Sequence, residues 1–188
     1  FEKEELPGRF DKWLQNPPKK PPAQPDWSIL GNAEPKSLEG ATFVPQADGS
    51  FLLAGINPKN DRWVVTARVD TPGVRAIRIE ALTDKSLKKN GPGRAGNGIF
   101  TLSDLRVFAK PIGTQGKGKP VKLINPRADH QQNTGNLSIA SSIDGDKRKT
   151  GWAVDGQIGK DHVCVFEFAE PVENEGGTEF TFELDYFV

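Results

Sequence analysis

The chain has 188 residues, with 25 basic against 25 acidic side chains, a formal charge of zero and one cysteine. Zero net charge supplies no field to steer the protein to nucleic acid or to an anionic membrane, so neither is expected as a partner. A lone cysteine excludes an intrachain disulfide and a thiolate metal cluster, the absence of Cys-x-x-Cys-His excludes covalent haem, and no apolar run approaches the roughly 18 residues of a spanning helix.

Twenty glycines and fifteen prolines beside eleven phenylalanines and four tryptophans describe short strands joined by tight turns around an aromatic core, an all-β chain. The length suits one domain with a real core plus an appendage. The chain opens at Phe1, has no methionine and carries no recognisable signal peptide, so a piece of a larger protein is expected.

Residues 1–16 read as a short amphipathic helix, with Phe10, Trp13 and Leu14 at i, i+3 and i+4. Trp13 either packs back on the domain or anchors a partner. Pro17 ends the helix, and the stretch to Pro25 holds five prolines, which makes it a stiff, extended connector. The division is therefore an arm and linker over 1–25 and a β-sandwich over 26–188.

Strands then follow quickly. Ala41–Val44 and Phe51–Ala54 flank an Ala-Asp-Gly-Ser turn and read as a hairpin. Trp63, Val65, Ala67 and Val69 alternate with Val64, Thr66 and Arg68, which reads as a half-buried strand. Val74–Leu82 comes after a Thr-Pro-Gly turn, and these two strands are expected to pair as a second hairpin. Gly91–Gly98 contains a formal Gly-x-Gly-x-x-Gly, but Lys88, Lys89 and Asn90 precede it and a strand-like run over 99–109 follows it. A dinucleotide-binding loop needs a strand before and a helix after. The glycines instead allow a loop to fold over the sandwich edge, with Arg94 either pinning it to backbone carbonyls or, with Asn97, binding ligand hydroxyls.

A Gly- and Lys-rich turn at 113–119 leads into Val121 and Leu123. The polar segment 128–136 holds His130, read as a loop-bonding or ligand-contacting histidine rather than a catalyst. Between Ile139 and Phe168, Asp144, Asp146 and Thr150 lie close together in a segment that Gly145 and Gly151 let turn tightly. They form either a turn satisfied by its own amides or part of a structural Ca²⁺ site, which needs six to eight oxygens. In the second case another strand must contribute, with Glu183 or Asp185 as sources. Trp152 follows, either a core plug or the aromatic face against which a pyranose packs. His162, Cys164, Phe166 and Phe168 then alternate with Val163, Val165 and Glu167, which makes Cys164 a buried, inert thiol. The alternation from Glu179 to Val188 places the last strand inside a sheet.

Ala140, the Asp-Gly-Asp of 144–146, the Thr-Gly-Trp of 150–152 and the strand after them are similar to the central motif of discoidin-like jelly rolls, the galactose-binding-like fold. Gly-Ala-Thr at 40–42, Asp-Gly-Ser at 48–50, Ala-Ile-Arg-Ile-Glu-Ala-Leu at 76–82, the Gly-rich run at 91–98 and Asp-Gly-Asp at 144–146 together resemble the β-sandwich module of large planctomycete proteins that also carry c-type cytochrome domains. The resemblance implies a jelly-roll β-sandwich that binds carbohydrate, an exported location in the periplasm or outside the cell, and calcium at the Asp-Gly-Asp turn. The residues themselves offer no nucleophile–base pair, no carboxylate pair in one cleft and no open metal site, so a non-catalytic module is expected. Its ligand contacts would be Trp152, Arg94, Asn97 and His130, its metal ligands Asp144, Asp146 and Thr150, and its partner a polysaccharide or glycan. The alternative is a structural domain that docks other domains of the parent protein.

Overall fold

The computed structural model describes residues 26–146 and 150–187. The helix expected over 1–16 with Trp13, the connector to Pro25, and Val188 lie outside the described residues.

The described residues form β1 (Glu34–Ser37), β2 (Ala41–Pro45), β3 (Phe51–Gly55), β4 (Asn60–Val69), β5 (Val74–Ala81), β6 (Thr101–Pro111), β7 (Lys119–Val121), β8 (Leu123–Ala128), β9 (Trp152–Ala153), β10 (His162–Val172) and β11 (Thr178–Phe187), with 3-10 turns at Lys88–Asn90 and Ile139–Ile143. One antiparallel sheet runs β1-β4-β11-β6-β7, with β9 added on β6, and a second runs β5-β10-β8. The hairpin β2–β3 stands beside them as a two-stranded sheet.

The two large sheets make a β-sandwich because each presents one apolar face. On β10, Cys164, Phe166 and Phe168 are buried; on β11 so are Phe180, Phe182 and Leu184; Leu105 and Val107 of β6 complete the middle. Phe168 and Phe180 bring the sheets together, their ring centroids 6.0 Å apart. Each such side chain contributes about 1.5–3 kcal/mol by leaving water. Cys164 is buried among them as expected, and burial pushes its thiol far above the ordinary range.

The expected hairpin of β4 with β5 does not form. β4 pairs with β1 and β11, whereas β5 pairs with β10, so the Thr71-Pro72-Gly73 connection carries the chain from one sheet to the other. Alternation dictates which side chains face inward, and both strands obey it; it does not dictate the neighbour.

β11 is an inner strand, between β4 and β6, and this buries its polar face too. Asp185 accepts from Arg62 Nε and Arg106 Nη2, each at 2.7 Å. Arg106 also meets Glu183 and Asp104 at 3.1 Å, by charge rather than by aligned hydrogen bonds. Lys117, from the turn between β6 and β7, pairs with Glu183 and lies 3.9 Å over the Phe108 ring. The arginines are more exposed than the carboxylates they pair with, and the pairs join the three neighbouring strands β4, β11 and β6. Glu183 and Asp185 are thereby committed to cations of their own sheet and do not complete a site at the Asp-Gly-Asp turn.

Candidate ligand-binding site

Where β8 ends, the chain leaves its sheet but stays tied to β10. Asp129 N–H donates to Val163 O at 3.0 Å, and Asp129 Oδ1 accepts from Val163 N–H at 2.9 Å. Asp129 Oδ2 lies 3.0 Å from His162 Nδ1, while His162 Nε2 lies 2.9 Å from Gln157 O. Burial alone would raise the Asp129 carboxyl; the Val163 amide and His162 outweigh it and hold the group below its ordinary value.

The segment after Asp129 is laced onto β9. Gln132 N–H donates to Ala153 O at 2.8 Å, and the Trp152 indole N–H donates to His130 O at 2.8 Å. Gln131 closes the far side, its Oε1 accepting from Ile139 N–H at 2.8 Å and its amide donating to Asn133 Oδ1 at 2.7 Å. The result is an open depression of about 570 Å³ lined by Pro126, Arg127, Ala128, Asp129, His130, Gln131, Asn133 and Ile139. Five of these residues carry planar polar side chains, of which Arg127 is paired through Nη2 with Glu167 Oε1 at 2.6 Å and Gln131 and Asn133 bond each other.

Of the residues singled out from sequence, His130 alone lies here, its Nε2 3.0 Å from Asp155 O and its ring 5.5 Å from that of His162. Trp152 sits beneath the depression, fully buried, with the Phe100 ring edge-on to it at 5.0 Å. It has no face to offer a pyranose, because the β9–β6 pairing and the 128–133 segment enclose it. Arg94 donates to Ile56 O at 2.9 Å and Gly55 O at 2.7 Å, and Asn57 donates to Arg94 O. It pins the glycine-rich loop to the end of β3. Asn97 Oδ1 accepts from Ile99 N–H at 3.2 Å, a local turn bond. Neither residue lines the depression. Arg127, Asp129, Gln131 and Asn133 were not anticipated. For Asp129, Gln131 and Asn133 the only signal is the polarity of 128–136, and for Arg127 there is none, because partners such as His162 and Glu167 are distant in sequence.

The Asp-Gly-Asp turn is a separate feature. Asp144 Oδ1 accepts from Asp146 N–H at 2.8 Å, closing an Asx turn, and from Thr150 Oγ1 at 3.0 Å. Thr150 Oγ1 also lies 3.3 Å from Ser141 O and 3.4 Å from Asp146 O. One hydroxyl proton serves a single strong bond, so four oxygens crowd one point with a surplus of acceptors. Among the described residues no three His, Cys, Asp or Glu side chains gather where they could hold a metal.

Set against protein-family models, curated proteins and solved structures, the chain matches none.

Proposed function

We propose that this chain is a non-catalytic carbohydrate-binding module of galactose-binding-like jelly-roll type, one part of a larger exported protein. The observation that carries the reading is the open depression lined by Arg127, Asp129, His130, Gln131 and Asn133. Its volume falls within the roughly 300–1,000 Å³ of small-ligand sites, and its side chains are the planar donors and acceptors that hydroxyl groups require. The resemblance of the Gly-Ala-Thr, Asp-Gly-Ser and Asp-Gly-Asp motifs to a sugar-binding module points the same way. His162 spends both ring nitrogens on Asp129 and Gln157 O, which favours binding over acid–base chemistry.

Affinity electrophoresis through gels holding different polysaccharides tests the reading. At least one polysaccharide is expected to retard the protein, and the Arg127→Ala/Asn133→Ala double variant is expected to migrate as if the polysaccharide were absent. Asp129 is a poor choice for this test, because its loss would release His162 and the Val163 amide. Retardation of neither protein by any polysaccharide, or of both to the same degree relative to a gel without polysaccharide, would remove the proposal.

A structural Ca²⁺ at the Asp-Gly-Asp turn belongs to the same reading. Ser141 O, Asp144 Oδ1, Asp146 O and Thr150 Oγ1 fit the mixed carbonyl and side-chain oxygens that Ca²⁺ prefers, as four of the six to eight it takes. Free calcium at a hundredfold its dissociation constant is then expected to add about 2.7 kcal/mol of stability, and chelation to lower the melting temperature. Magnesium should substitute poorly, since it demands octahedral geometry and dehydrates reluctantly. A melting curve indifferent to chelator, with no metal by elemental analysis, would leave the turn held by its amides alone.

The second reading, a domain that docks its neighbours in the parent protein, is favoured by the exposed apolar side chains between Trp27 and Ile56.

A further inference from the structure

Among the described residues, Arg127 is the one lysine or arginine that lines the depression. It already has a counter-ion. Its Nη2 lies 2.6 Å from Glu167 Oε1 on the neighbouring strand β10, and Glu167 Oε2 accepts from the Asn125 side-chain amide at 2.7 Å. Arg127 stands opposite Val165 in the ladder, as Arg78 does from the other side of β10, and Arg78 lies 2.9 Å from Glu80. Each guanidinium of this row therefore has its own carboxylate on the same face of the sheet. The Arg127 and Glu167 side chains are 62% and 34% exposed, so their pairing adds little stability. Its consequence is for the charge that a ligand meets.

The carboxylate lining the depression is Asp129, and both of its oxygens are engaged, Oδ1 by Val163 N–H and Oδ2 by His162 Nδ1. Burial would raise its carboxyl, but the Val163 amide and His162 hold it below its ordinary value; Asn125 and Arg127 hold that of Glu167 low as well. The remaining titratable side chain of the lining, His130, has its Nε2 3.0 Å from Asp155 O. An incoming ligand thus meets two ionised carboxylates and a guanidinium that one of them already neutralises.

A carboxylate or sulfate on a sugar would shed water on entering, and its charge beside Asp129 and Glu167 would be repelled. A hydroxyl group meets no such penalty. A guanidinium has five N–H donors, and the bond to Glu167 leaves most of those on Arg127 for hydroxyl oxygens. The Gln131 amide donates to Asn133 Oδ1, so the Asn133 side-chain N–H groups face outward demand as donors too. These are contacts that neutral sugars satisfy in full.

We propose that the depression selects uncharged glycans and turns away uronates and sulfated sugars, because Glu167 neutralises its lining cation in advance. The proposal rests on the reading of the depression as a glycan site and narrows the class of its ligand.

Calorimetric titration of the full chain with galactan, mannan and dextran, each beside a lightly carboxymethylated sample of the same polysaccharide, tests it. The neutral member of a pair is expected to bind at least about tenfold more tightly than its carboxymethylated counterpart, with an affinity that added salt leaves unchanged. Glu167→Gln removes the counter-ion while leaving an oxygen for Asn125, and it should narrow that preference by at least about tenfold through salt-sensitive binding of the carboxymethylated sample. Equal or tighter binding of a carboxymethylated sample by the unsubstituted chain would overturn the proposal and leave the glycan site standing. An unchanged preference in folded Glu167→Gln would overturn it as well, since carboxymethyl groups would then act by bulk and not by charge. Binding of neither member of any pair would remove the glycan site and the proposal together.

Discussion

Trp152→Ala is expected to cost about 3–5 kcal/mol, the range for removing a large aromatic side chain from a core. The indole is fully buried, packs against Phe100, and bonds His130 O. The substitution therefore opens a cavity and leaves the part-buried His130 carbonyl without this donor. Against the 5–15 kcal/mol that holds a domain of ordinary stability, this is a large share, and a urea titration reads it directly. Trp152→Phe separates the two contributions. It keeps most of the packing but loses the N–H, so its cost should be nearer the roughly 1–3 kcal/mol of an unsatisfied buried acceptor. A Trp152→Ala midpoint within about 0.5 kcal/mol of the parent, as for an ordinary surface substitution, would mean the indole is not the plug described here.

Gly93→Ala is expected to be as damaging for a different reason. A Cβ there would lie 1.9 Å from Ile99 O, 2.0 Å from Ile99 C and 2.4 Å from Phe100 N. All three are backbone atoms at the entry to β6, so no rotamer change relieves the clash. The loop has no slack either, since Gly93 N–H bonds Gly98 O at 2.9 Å and Gly159 N–H bonds Gly91 O at 2.8 Å. Overpacking of a yielding site costs about 1–3 kcal/mol; this rigid one should exceed that, with folding of the 91–98 loop lost. Gly96 is the control. Nothing lies within 4 Å of its Cβ position, so Gly96→Ala should stay within about 0.5 kcal/mol of the parent in a thermal melt. Equal effects of the two substitutions would contradict the close backbone contact.

The strands were legible where one physical rule acted alone. Alternation over His162–Phe168 and Phe180–Leu184 marked the buried side chains, and β11 does lie inside a sheet. Pairing was less legible, because a period of two assigns faces and not neighbours; hence β4 and β5 looked like a hairpin and belong to different sheets. Alternation also hid the burial of Glu183 and Asp185, which depends on Arg62 and Arg106 reaching across from adjacent strands. Side-chain type misled at the site for a related reason. Trp152 and Arg94 have the chemistry of ligand contacts, but enclosure by β6 takes up the first and two carbonyls of the 55–56 segment the second. Asp129 gave no local hint, since its partners His162 and Val163 lie 33 and 34 residues away. The Asx turn at Asp144 was the opposite case, wholly local and readable.

Ligand binding at the polar depression between the end of β8 and the Ile139 turn is tested most directly by amide-shift mapping by NMR. The ¹⁵N-labelled full chain would be titrated with soluble oligosaccharides drawn from a range of polysaccharides. Shifts are predicted to concentrate at residues 127–133 and Ile139, to saturate, and to be absent from the Arg127→Ala/Asn133→Ala variant. Saturating shifts confined to residues 27–56, or no shift with any oligosaccharide, would contradict the central claim.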